Sequence, residues 1–233
     1  MKNIVHKKEI LRVVVGSHAH GLARLESDID YRSVYIIPTS DLLKVDSGTI
    51  KGASFTDGVE DDTSYELGHF LRLATKSNPS ILEVFVSPVV EILSEGKELR
   101  ELFPYVWSSQ GVLNAFVGYS LSQRKKMMDE GKLAELVFDY DRKLKYGVAY
   151  LRVLILAQEL LSTGRMTIKV PDEYKPTLLN IRDNLFSAGE ILDKANILKE
   201  QVEKAYESNK YKFTDFEKVN QFLLRVRKDN WEF

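Results

Sequence analysis

The hydrophobic pattern divides the chain into an alternating first part and a helical second part. Leu11–Val15 is a β-branched run ending at Gly16, as in a buried strand. Ile29–Pro38 alternates aromatic and β-branched residues and predicts a second strand. Pro38–Lys44 reads as a turn leading into a short helix or loop, and Thr49–Gly58, rich in Gly, Ser and Thr, has no clear period. Asp61–Tyr65 fits a short strand with Asp61, Thr63 and Tyr65 on one face, because strand side chains repeat every second residue. Leu67, Phe70, Leu71 and Ala74 follow helical spacing. Asn78-Pro79 is a helix start, with Asn78 as cap and Pro79 at the first helical position, followed by Ile81, Leu82 and Val84 or Phe85. Val89–Leu93 predicts a further strand and Ser94–Phe103 a short helix.

From about Ser108 the pattern is helical. Val112, Phe116, Tyr119 and Leu121 fall on one stripe. A long helix is predicted from Arg142 to Leu161, with Gly164 as its C-terminal stop, then an extended Met166–Val170 before Pro171. Helices follow at Tyr174–Asn184, Ser187–Asn209 and Asp215–Asp229. The expected architecture is α+β: a small mixed sheet with flanking helices over residues 1–105, and a helical domain over 106–233.

Composition narrows the function. The chain has 233 residues, enough for one large domain or two small ones. It contains no cysteine, so disulfides and thiolate metal sites are excluded. No apolar run reaches the roughly 18 residues of a membrane span, and Met1–Arg12 lacks the apolar core of a secretory signal. A cytoplasmic protein that does not engage a membrane is the expectation. The formal net charge of -1 argues against a general nucleic-acid coat, so any RNA contact must use a local basic patch. Arg124, Lys125 and Lys126 form one such cluster, and Arg225, Arg227 and Lys228 another; each alone reads first as a solvated helix face.

The chemistry concentrates in Val15–Ile36, VGSHAHGLARLESDIDYRSVYI. Gly16 permits a tight turn and close approach of a ligand to the backbone. Ser17 offers a hydroxyl and an amide to a phosphate oxygen. Alternation puts Asp28 and Asp30 on one face and sends Ile29 into the core. Two carboxylates held this close repel each other unless a cation lies between them, and an all-oxygen set suits Mg2+ or Mn2+. A third carboxylate permits a two-metal centre, with Asp61 as candidate and Asp62 as rival. A Gly-Ser pair alone is ordinarily a turn, and Asp-x-Asp alone a polar loop or cap. Their ordered combination between two strands is much more specific. His18 and His20 read as loop residues near the phosphates rather than metal ligands. Arg32, on the same face as the aspartates by alternation, could neutralise them or contact a phosphate, with a purely structural salt bridge equally open. Tyr140, Tyr146 and Tyr150 could stack on a base, although packing is the ordinary reading.

This arrangement resembles the nucleotidyltransferase signature of the DNA polymerase β-like superfamily. The wording GSHAHGLARLESDIDYRSVYIIP resembles a narrower group, the RNA-ligase-associated polymerase-like family of predicted nucleotidyltransferases. The likeness continues through DDTSYELGHFLRLATKSNPSILEVFVSP, where Asp61, Tyr65, Leu67, Phe70, Leu73, Asn78, Pro79 and Glu83 match. It continues more weakly through KYGVAYLRVLILAQELLSTG and LLNIRDN. The resemblance implies that Gly16 and Ser17 hold a nucleoside triphosphate, that Asp28, Asp30 and Asp61 bind metals, and that Asn78 and Glu83 sit near the site. It also implies that Lys145 and Arg152 face inward; their spacing of two helical turns independently puts them on one face. Tyr146 and Ala149 stand near where the family usually has a histidine, and Ser33 where glycine is common. The implied reaction is in-line attack of an acceptor hydroxyl on the α-phosphorus, with release of pyrophosphate. The acceptor could be an RNA end, a small molecule or a protein hydroxyl. A non-catalytic nucleotide sensor or toxin–antitoxin-type protein is the other class this fold allows.

Overall fold

The computed structural model describes residues 7–45, 54–56, 62–128 and 140–232. In chain order the elements are β1 (Lys8–Val15), α1 (Gly16–His20), β2 (Asp30–Ile36), α2 (Thr39–Leu42), β3 (Ser54–Thr56), β4 (Asp62–Glu66), α3 (Leu67–Ala74), α4 (Pro79–Val86), β5 (Val89–Ile92), α5 (Ser94–Glu101), a 3-10 turn (Phe103–Tyr105), α6 (Ser109–Met127), α7 (Tyr140–Thr163), α8 (Lys175–Arg182), α9 (Ala188–Ser208) and α10 (Phe216–Asp229). The fold is α+β. Among the described residues no helix is long and apolar enough to cross a membrane.

The chain forms two compact units: one of Met1–Lys76, Ser80–Trp107 and Thr214–Phe233, the other of Ser77–Pro79 and Ser108–Phe213. Where the hydrophobic pattern runs a helical domain from 106 to 233, residues 214–233 cluster with the first unit instead. The reason is the buried stripe of α10, Val219, Phe222 and Val226, together with polar bonds made at its C-terminal end. The Arg227 guanidinium pairs with Glu66, Thr39 N–H donates to the Asn230 carbonyl at 3.0 Å, and Ser40 N–H donates to the Trp231 carbonyl at 3.1 Å.

The first unit is built on a mixed five-stranded sheet in the order β3-β4-β2-β1-β5. β1 is antiparallel to β2 and β5, β2 is parallel to β4, and β3 is antiparallel to β4. β1 begins three residues before the predicted Leu11, and a register shift between Glu9 and Leu11 lets both Ile10 and Leu11 be buried. β3 falls within the stretch that showed no period. β2 begins at Asp30 rather than Ile29, so strand alternation does not reach Asp28. The expected burial of Ile29 is corrected: it is 44% exposed, because it precedes the strand. Phe70, Phe85 and Phe103 pack in series, with ring centroids 5.2 and 5.9 Å apart.

The second unit is helical. α7 buries residues nearly all round, including Leu151, Leu154, Ala157, Leu160 and Leu161, and packs against α6, α8 and α9. α9 presents Ile191, Ala195, Leu198, Val202 and Ala205 at helical spacing, and Ser187 and Glu190 close a capping box at its start. α6 buries Val112, Phe116, Ser120 and Gln123. Leu121, expected on that stripe, is 41% exposed: the buried positions repeat every three to four residues, and 121 falls between them.

Candidate active site at the end of β1

β1 delivers Val15, paired with Asp30 of β2, directly into the Gly-Ser bend. Gly16 adopts φ +67°, and a Cβ placed on it would lie 1.9 Å from Asp30 Oδ2. The Asp30 carboxylate therefore occupies the space that any larger residue at position 16 would fill. One turn of helix follows and closes at Gly21 in the left-handed conformation, where Gly21 N–H donates to the His18 carbonyl at 3.2 Å and Leu22 N–H donates to the Ser17 carbonyl at 2.9 Å. Ser17 is half-buried on this turn.

The loop between α1 and β2 is tied down rather than free-running. Arg24 N–H donates to Ser27 Oγ at 2.8 Å, Ser27 N–H donates to the Arg24 carbonyl at 3.1 Å, and His18 Nε2–H donates to the Ser27 carbonyl at 2.9 Å. Asp28 follows at once and is exposed. Asp30 lies on β2 against the bend and Asp28 in the loop before it; their carboxylates and the Ser17 hydroxyl are oxygen donors of the kind a hard divalent cation takes. Among the described residues no three His, Asp or Glu side chains converge as a metal site. Asp61, the expected third carboxylate, lies outside the described residues.

Its rival, Asp62, is accounted for. Register pairs Asp62 with Tyr31 and Arg12 with Ser33, which places Asp62, Tyr31 and Arg12 on the face opposite Asp30 and Arg32. There Asp62 Oδ2 meets Arg12 Nη2 at 2.6 Å, and the Arg12 guanidinium lies 4.6 Å from the Tyr31 ring. Asp62 thus serves an ion pair on the other side of the sheet.

Helix α4 meets the site from within the first unit. Arg32 Nη1 donates to the Ser80 carbonyl at 2.6 Å, tying β2 to the first turn of α4. Glu83, expected at the nucleotide, is only 5% exposed, and its Oε2 stands 3.4 Å from Nε2 of His20, itself 8% exposed. Nothing in the hydrophobic pattern marks this pairing, because His20 reads from the sequence as a loop residue and only the helical turn of α1 turns it inward. Asn78 stands immediately before Pro79, the first residue of α4.

Asn78, Lys145 and Arg152 belong to the second unit. The Lys145 side chain is 58% exposed and pairs with Asp141 at 3.3 Å, whereas Arg152 is 9% exposed. Their equal helical phase does not give them equal surroundings. Tyr150 is buried, and burial raises its phenol pKa, so packing accounts for it; Tyr146 lies under the Lys126 ammonium, 5.4 Å from ring centroid to nitrogen. The Tyr140 side chain lies outside the described residues.

A curated relative from Enterobacteria phage T4, an uncharacterized 38.9 kDa protein in the nrdC-mobD intergenic region, is 23% identical over 142 residues. That match takes in 55% of this chain and 42% of the phage protein, so the chain spans less than half of that relative's length. The model of the RNA repair pathway DNA polymerase beta family, RlaP, matches residues 1–225. Since that match takes in nearly the whole chain, the Gly-Ser bend with Asp30 lying against it included, the protein belongs to the RNA repair pathway DNA polymerase beta family.

Proposed function

We propose that the protein is a metal-dependent nucleotidyltransferase that moves a nucleoside monophosphate from a triphosphate to an acceptor hydroxyl, with an RNA end as the favoured acceptor. The observation that carries this reading is the Asp30 carboxylate seated against Gly16 beside Ser17. Ser17 binds a phosphate oxygen, and Gly16, having no side chain, lets the Asp30 carboxylate lie against the same bend. Asp28 and Asp30 hold divalent cations, Mg2+ or Mn2+, with Asp61 as third carboxylate on the sequence alternation from Thr63. When bound, such ions neutralise triphosphate charge and stabilise the attacking and leaving oxygens. The acceptor oxygen forms a bond to the α-phosphorus as the bond to the bridging oxygen of pyrophosphate breaks. Asp61 receives the acceptor proton. Arg32, anchored at Ser80, keeps positive charge on the same strand face as Asp30. The RNA acceptor rests on the family's place in RNA repair.

The test is incubation with labelled nucleoside triphosphates, Mg2+ or Mn2+, and separate pools of RNA, protein and small-molecule acceptors. Transfer to RNA that disappears in the Asp28→Ala/Asp30→Ala double variant is the expected result. Transfer that persists in that variant removes the proposed centre, and transfer only to protein or small molecules removes the RNA acceptor.

A further inference from the structure

His18 and His20 lie two apart on the single turn of α1, so their side chains leave the helix about 200° apart. They cannot chelate one ion from the same face. The structure shows where each goes instead. His18 is exposed and reaches the Ser27 carbonyl at 2.9 Å; His20 is buried and faces Glu83 of α4 at 3.4 Å. The Ser27 carbonyl belongs to the same planar peptide unit as the Asp28 nitrogen, so fixing one orients the other. Glu83 stands one helical turn along from Ser80, whose carbonyl receives Arg32. α4 therefore holds both α1, through His20, and β2, through Arg32.

We infer that His18 and His20 are a pair of positioning residues, one bracing the loop that carries Asp28 and the other fixing the Gly16–Ser17 turn through Glu83. Glu83 is then a partner of His20 in the interior rather than a nucleotide ligand. The two histidines act from opposite sides of one helical turn, so the bend and the loop keep a fixed spacing before any ligand arrives. Preset spacing is what a site that must meet both a phosphate and a cation requires. The purpose assigned to the brace rests on the nucleotidyltransferase reading, but its existence does not.

Two measurements on the full-length protein test this. Amide hydrogen exchange reads the brace directly. His18→Leu and Glu83→Leu are expected to speed exchange across residues 17–30 by about tenfold, the size of one lost strong hydrogen bond, while β1 and β5 keep their protection. His18→Gln, which restores an N–H donor, is expected to return exchange to near the wild-type rate. Unchanged exchange at 17–30 in folded His18→Leu overturns the proposal, as does equal acceleration over the whole first unit. His18 is exposed, so this arm holds even if Glu83→Leu does not fold. Titration of inorganic tripolyphosphate with Mn2+ reads the purpose. Both Leu variants are expected to bind about tenfold more weakly, with His18→Gln close to wild type. Wild-type protein that binds no tripolyphosphate sinks the nucleotidyltransferase reading, and the exchange result then decides the brace by itself.

Discussion

In the first unit the chemistry is held by single directional contacts: Asp30 against Gly16, Arg32 on the Ser80 carbonyl, His18 on the Ser27 carbonyl, Glu66 against Arg227. In the second unit the helices are held by a continuous apolar seam along α7 and α9. The first arrangement fixes atoms but depends on each contact. The second spreads its stability over many side chains and fixes no individual atom so closely. Chemistry that needs two carboxylates in a set relation calls for the first kind; a rigid helical body can be made from the second.

The contrast can be broken at specific places. Removing the Arg227 guanidinium leaves Glu66, 4% exposed, without its counter-ion and held by the Gly68 and His69 amides at the start of α3. Arg227→Ala is expected to cost the first unit about 3–5 kcal/mol, measured by urea denaturation. Arg227→Lys should recover only part of that, since one ammonium cannot copy the fork of a guanidinium. Leu160, fully buried in α7, tests the other unit: Leu160→Ala is expected to cost about 2–5 kcal/mol by cavity formation. Its effect is expected in the unfolding of the helical unit, read by exchange across α7 and α9.

Gly16→Ala sharpens the contrast from the side of function. The added Cβ meets the Asp30 carboxylate, and φ +67° strains any residue but glycine. Nucleotidyl transfer is expected to fall by about 100-fold through displacement of Asp30, with the helical unit's unfolding unchanged. Full activity in this variant would show that the Asp30 position is not critical. The smallest effect is expected at the exposed cap of α9. Hydrogen bonds from the Ser187 hydroxyl and backbone lower the Glu190 carboxyl pKa below its ordinary value. A group with a depressed folded pKa lends stability above its unfolded pKa and loses it as pH falls through the folded value. Acid titration of the wild type should therefore show a slight weakening of α9 below the carboxylate range, and Glu190→Gln should flatten it.

Features set by neighbouring residues were legible in the sequence. Pro79 opens α4 and Gly164 follows α7 because a proline start and a left-handed stop are local demands. The Gly16 turn was legible for the same reason, whereas Asp30 comes to it by strand pairing and was marked only by the ordered motif. What the hydrophobic pattern could not supply was register. Asp61 was the candidate third carboxylate and Asp62 its rival, and only the pairing of Tyr31 with Asp62 placed Asp62 on the Arg12 face. Ile29 was assigned to the interior only because β2 was started one residue early. The Glu66–Arg227 pair joins positions 161 residues apart, a separation no local pattern encodes. β3, three residues long, is too short for a period to register.

The return of α10 to the first unit also has a temporal consequence. During synthesis the sheet and its Gly-Ser bend emerge before the helical unit, and the helix that supplies Arg227 to Glu66 emerges after it. Glu66 therefore gains its counter-ion only after the helical unit has been translated, and the first unit is completed late although most of its residues are made first.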